Sequence, residues 1–118
     1  MAGERREGGA GAAPLSGIRV LDLTRYLAGP YASMLLADYG ADVVKVESRK
    51  GREFRRPADT RDNYFFLSSN RGKRSLTLDL KSPRGQELLL RLLPHFDVLL
   101  ENFRPGVMER LGLGAEAL

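Results

Sequence analysis

Four short apolar strand patterns, each separated from the next by helix punctuation, constrain this chain more than any other feature. They are Ile18–Leu23, Ala41–Glu47, Ser75–Leu80 and Asp97–Glu101. After the first, Pro30 stands where a helix opens, Tyr31 to Tyr39 continues it, and Gly40 is placed as its left-handed cap. Residues 63–70 read as a short helix with Tyr64, Phe65 and Leu67 partly buried. After the third strand, Ser82-Pro83 is an N-cap followed by proline, and Gln86–Leu93 a leucine-rich helix ended by Pro94. Pro105 opens a last helix through Leu111, stopped by Gly112, and Ala115–Leu118 reads as the first turn of another. Strands alternating with helices of about ten residues specify an α/β fold, a parallel sheet with flanking helices. The stop at the start of a helix suggests a truncated product or a fragment. There is no internal repeat.

The 118 residues suffice for one domain. Residues 1–13 are rich in Gly and Ala, carry two Arg and two Glu, and lack the apolar centre of a secretory signal. They are expected to be a disordered extension, with the domain occupying residues 14–118. Residues 48–62 mix proline with scattered charge and show no apolar period, which reads as a loop. With no cysteine and a single histidine, His95, the sequence excludes disulfides, thiol nucleophiles and two-histidine metal sites. No metal site and no membrane span are expected. The net charge of +4 favours anionic partners without choosing among them.

In open parallel sheets, ligands sit beyond the carboxyl ends of the strands. The candidates are therefore Thr24 to Pro30 after the first strand, Glu47 to Lys50 after the second, Lys81 after the third, and Asn102 to Gly106 after the fourth. Ala28-Gly29 would let a ligand approach the backbone, or is simply a tight turn. No G-x-G-x-x-G follows the first strand, so the usual dinucleotide fingerprint is missing. Asn102 can read an adenine edge or cap the next helix. Phe103 can stack on a base or belong to the core. The helix from Pro105 would offer free N–H groups to an anion. Arg71, Lys73 and Arg74 place three cations within four residues before the third strand, suited to a phosphate-bearing ligand. The plainer reading of Lys73 and Arg74 is a charged guard on a sheet edge. Asp22, Asp42, Asp79 and Asp97 lie at strand starts or within strands and form no catalytic pair. His95, at the opposite end of the sheet, reads as a surface residue.

Three segments together resemble one family. They are Pro14–Thr24 with Ala28-Gly29-Pro30 and Leu36–Glu47, then Asn70–Lys81, then Asp97–Gly106 with Leu111–Gly114. In order and spacing they resemble the class III coenzyme A transferases and the related 2-methylacyl-CoA racemases. The resemblance implies a Rossmann-like N-terminal domain that binds coenzyme A. It implies CoA contacts from Tyr26 and Ala28 in the first loop, Leu78 and Lys81 at the nucleotide end, and Asn102 and Phe103 near the adenine. Arg110 would reach the phosphates, and Arg74 is the favoured residue of the basic stretch. Some members carry an arginine directly after the second-strand glutamate. Ser48 stands there, so Arg49 is expected to take over that contact. Some transferases carry a first-loop glutamine where this chain has Leu27, so no polar role transfers to it.

The resemblance further implies substrates that are an acyl-CoA and a small carboxylic acid, with neither nucleic acid nor membrane as partner. It implies an interlocked homodimer for full-length members. The absence of cysteine is compatible with the cytosol, so a cytoplasmic setting is expected, with the mitochondrion as alternative. Transferases of the family attack the thioester with an aspartate carboxylate that lies downstream of the matched segment. No residue of this chain is therefore expected to be catalytic, and the isolated chain is expected to be inactive. The racemase reaction is the rival within the family. Outside it, the rivals are a non-catalytic CoA- or nucleotide-binding module and a basic nucleic-acid-binding domain. Base-stacking aromatics interleaved with the cations are too few to favour the last.

Overall fold

A computed structural model describes residues 12–48 and 61–118. Most of the expected N-terminal extension, most of the 48–62 loop, and Arg49 lie outside the described residues. Four strands form one parallel sheet: β1 (Arg19–Asp22), β2 (Asp42–Glu47), β3 (Arg74–Thr77) and β4 (Val98–Leu100), in the order β3-β2-β1-β4. The register pairs Asp22 with Lys45 and with Leu100, and Glu47 with Thr77. The connections carry α1 (Ala28–Asp38), α2 (Arg61–Ser69), α3 (Pro83–Leu92) and, after β4, α4 (Val107–Arg110).

The helix signals act as anticipated, with shifted boundaries. Ser82 caps α3 by accepting the Gly85 N–H at 2.9 Å, and Pro83 occupies its first turn. Gly40, at φ +103°, closes α1 in the left-handed region, and the Ala41 N–H returns to the Leu36 carbonyl at 3.0 Å. α1 starts two residues before Pro30, because Ala28 and Gly29 enter the helix as well. α4 is shorter than its punctuation implied. Gly106, at φ +86°, holds the chain out of helix, so only four residues follow. A helix that short gives Pro105 no anion-binding N-terminus. β3 ends at Thr77, because Asp79 to Ser82 turns directly into α3.

Alternation along β1 and β2 separates two cores. Leu21, Leu23 and Val46 face Leu80, Leu89, Met108 and Leu113, with Phe103 at the margin. Val20, Ala41 and Val43 face the other way, toward Leu36 and Ala37 of α1. Beyond Val20 and Val43, that second face turns polar: Asp22, Thr24, Lys45 and Glu47 are all buried.

Candidate functional site at the switch point

The strand order reverses between β1 and β4, since the chain runs outward through β2 and β3 and then returns to the other side of β1. Ligands of open α/β sheets bind at such a point, beyond the carboxyl ends of the strands. Here the crevice is framed by the loop after β1, residues 23–27, and the loop after β4, residues 101–106.

Asn102 ties the two loops together. Its Oδ1 accepts the Arg25 N–H at 2.8 Å and its Nδ2 donates to the Arg25 carbonyl at 2.8 Å. The side chain thus neither caps α4, whose N-cap is Gly106, nor presents its own amide outward. Gly29 makes the same closure possible. A Cβ there would lie 2.4 Å from the Thr24 Cβ and 2.9 Å from Asn102 Nδ2. The Ala28-Gly29 pair is therefore needed for packing α1 against both loops. Next to the clamp, Tyr26 takes φ +67° and is 71% exposed. A left-handed tyrosine costs about 1–3 kcal/mol and persists only where its surroundings fix it. The Arg25 guanidinium lies 5.7 Å from the Phe103 ring centroid, within cation–π range. Burial lowers the Arg25 pKa, and the Glu47 carboxylate opposes that shift.

Beneath the loop lies a buried charge cluster. Asp22 accepts the Thr24 N–H at 2.8 Å, the Thr24 hydroxyl, the Ser33 hydroxyl at 2.5 Å and the Lys73 ammonium at 2.9 Å. Burial alone would raise its pKa, but the Ser33 and Thr24 bonds and the nearby Lys73 and Lys45 cations hold the carboxyl below its ordinary value. Lys45 donates to the Thr24 carbonyl at 2.9 Å, and burial pushes its pKa down to about 8 against the pull of Asp22. Burial lowers Lys73 too, although Asp22 stabilises its charge.

The expected site residues divide by position. Tyr26, Ala28, Leu78, Lys81, Asn102 and Phe103 gather at the carboxyl end of the sheet, and Arg110 follows in α4. Leu78 continues the pairing of β3 with β2 past Thr77, donating its N–H to the Glu47 carbonyl at 2.9 Å, and its side chain packs on the core. Lys81 is exposed in the turn before α3, with its N–H on Asp79 Oδ1 at 3.0 Å. Arg74 points the other way: it pairs with Asp42, at the amino end of β2, at 2.6 Å. Arg71 similarly pairs with Asp38 at 2.7 Å. The three cations of the basic run thus part company. Arg71 and Arg74 are exposed, and Arg74 fits the edge-guard reading because β3 is a sheet edge. Lys73 is only 2% exposed at its side chain. His95 is exposed just before β4.

Sequence reasoning passed over Asp22 and Lys45 because it looked after the strands and not within them. The available signal was charge inside apolar parallel strands, which normally read as continuous hydrophobic runs. Among the described residues, no group of three His, Cys, Asp or Glu could hold a metal ion, and no helix is long and apolar enough to cross a membrane. A groove of about 410 Å³ between Leu90, Leu93, Phe96 and Val98 lies at the amino end of β4, away from the crevice.

The sequence pattern of CoA-transferase family III matches residues 15–118. The chain belongs to this family. It is 49% identical over 109 residues to the succinyl-CoA–D-citramalate CoA-transferase of Chloroflexus aurantiacus, covering 89% of this chain and 27% of that protein. It is 45% identical to the mouse succinyl-CoA:glutarate CoA-transferase, covering 87% of this chain and 24% of that one. A crystal structure of Rv3272 from Mycobacterium tuberculosis superimposes with a TM-score of 0.83 at 48% identity, covering 91% of this chain and 30% of the other. The chain thus spans about a quarter of the length of these curated relatives and corresponds to an N-terminal segment of the class III fold.

Proposed function

We propose that residues 14–118 are the CoA-binding part of a class III CoA-transferase, which moves coenzyme A between an acyl-CoA and a small carboxylic acid. The observation that carries this reading is the clamped crevice at the β1/β4 switch point, in a chain of this family. Its residue types suit a long anionic thioester. Phe103 and Tyr26 offer flat apolar surface, the close-packed Ala28-Gly29 start of α1 offers backbone, and Lys81 and Arg110 offer charge. Asn102 serves by shaping the loop on which Tyr26 and Ala28 sit, and Leu78 by lining the approach near Lys81. Arg49 completes the nucleotide end. Arg74, held by Asp42 at the amino end of β2, stays outside the site.

No residue of this chain is assigned the nucleophile, so the isolated chain binds CoA without turning it over. The longer protein acts as an interlocked homodimer, in the cytoplasm or the mitochondrion, without nucleic acid or membrane as partner. Titration calorimetry of the purified chain with CoA tests the reading. Lys81→Ala should weaken binding by about 1–3 kcal/mol, the range of charge-assisted contacts, whereas Arg74→Ala should leave it unchanged. Unchanged affinity in Lys81→Ala, or steeply salt-dependent binding to oligonucleotides with none to CoA, would overturn it.

A further inference from the structure

The Lys73 ammonium has three protons and three acceptors, and the acceptors stand on three different parts of the chain. They are Asp22 Oδ2 at the end of β1 (2.9 Å), the Pro30 carbonyl in the first turn of α1 (3.0 Å) and Asn70 Oδ1 just past α2 (2.8 Å). Asn70 in turn donates to the Phe66 carbonyl at 2.9 Å, in the last turns of α2. On the far side of the same loop, Asn102 holds both backbone groups of Arg25, and Lys45 holds the Thr24 carbonyl. Residues 25–28 are therefore suspended between the β4 loop and the end of α2.

We propose that Lys73 is a positioning residue for coenzyme A: by bonding Asp22, Pro30 and Asn70 at once, it couples the end of α2 to the β1–α1 loop and pre-sets Tyr26 and Ala28 for the ligand. This rests on the CoA-binding reading above and adds no contact to the ligand itself. Its ground is geometric. The Lys73 and Asp22 side chains are 2% and 0% exposed, so solvent has little access to the pair. Without Lys73 the Asp22 carboxylate would keep Thr24 and Ser33 and the Pro30 carbonyl would keep Ser33, but nothing would tie either of them to Asn70. An apolar residue would fill the same volume but would fix neither Pro30 nor Asn70. Buried charge of this kind is a poor source of stability and a good source of fixed geometry.

Hydrogen exchange of the ligand-free chain, together with CoA titration, tests the proposal. Asn70→Ala keeps the Asp22–Lys73 pair and cuts only the tie to α2. It should speed amide exchange in residues 23–30 roughly fivefold or more, while the amides of Val20, Leu21 and Val43 stay within about twofold. CoA affinity should fall roughly tenfold, because the loop no longer presents its contacts in place. Lys73→Met should give a larger effect of the same pattern, and Lys73→Arg should recover part of it. Unchanged exchange in 23–30 with Asn70→Ala overturns the coupling, whatever the fate of Lys73→Met. A uniform rise over all core amides also overturns it, since that marks ordinary destabilisation. A wild-type chain that shows the coupling but binds no CoA overturns the ligand reading alone, and with it the purpose assigned to Lys73.

Discussion

The two faces of the sheet solve different problems with the same four strands. One face, against α3 and α4, is apolar from end to end: Leu21, Leu23 and Val46 meet Leu80, Leu89, Met108 and Leu113. The face against α1 is apolar only in its amino half, where Val20, Ala41 and Val43 lie. In its carboxyl half, Asp22, Lys45 and Lys73 replace aliphatic side chains under the loop that carries Tyr26 and Ala28. Apolar contacts are non-directional and fix a volume. Charged hydrogen bonds are directional and fix particular atoms. The change of chemistry along one face thus marks where the fold stops needing bulk and starts needing a defined loop.

The largest expected effects come from breaking each face in turn. Asp22→Ala should destabilise the chain by about 3–5 kcal/mol, because it strands buried cations. Leu89→Ala, at a fully buried position of the apolar face, should cost about 2–5 kcal/mol through lost transfer energy and a cavity. Denaturant unfolding gives both numbers, and their similarity would hide the difference in kind. The double variant Asp22→Leu with Lys73→Met exposes it. Removing both partners should cost much less than removing one, while CoA affinity stays low. If the double variant loses as much as Asp22→Ala, the cluster is held by more than its charge pairing and the contrast between the faces fails.

A smaller effect depends on pH. Lys45 titrates at about 8 in the folded chain, against about 10.4 when unfolded. Between those values the unfolded state binds more protons, so stability rises with pH. Below about 8 both states are protonated, and the penalty for burying the ammonium is fully present. The rise from pH 8 toward 10.5 should be on the order of 2–3 kcal/mol, with Lys73 adding in the same direction. Lys45→Met should flatten that slope. A slope unchanged in the variant would mean that the carboxyl half of the α1 face is wetter than its burial implies.

Much of this arrangement was legible in the sequence. Strand and helix order follow from apolar runs and from local punctuation such as Ser82-Pro83 and Gly40, each acting over a few residues. The carboxyl ends of the strands as the place for a site follow from the parallel sheet alone. The partners of the basic run were not legible. Arg71, Lys73 and Arg74 look alike in sequence, yet Lys73 dives to Asp22, 51 residues away in the chain, while its neighbours take Asp38 and Asp42. Such pairings depend on which side of β3 each residue faces and on how far β3 is shifted against β2. Asn102 was singled out, but its clamp on Arg25 was hidden for the same reason, since that partner lies 77 residues upstream.

The smallest predicted effect concerns the loop itself. Tyr31 and Tyr26 are both exposed tyrosines near the start of α1, but only Tyr26 has positive φ. Tyr31→Gly should lower stability by about 0.5–1 kcal/mol, the usual penalty for glycine in a helix. At Tyr26 the same change removes the left-handed strain, which offsets the freedom glycine gives the unfolded chain. Tyr26→Gly should therefore leave stability unchanged or raise it by up to about 1 kcal/mol. CoA affinity should fall nonetheless, because the ring that the clamp holds outward is gone. A variant that is both more stable and a weaker binder would show strain stored in the loop for the ligand. A Tyr26→Gly chain destabilised as much as Tyr31→Gly would show that the loop is held no more firmly than the helix behind it, and that the polar half of the α1 face fixes less than its bonds imply.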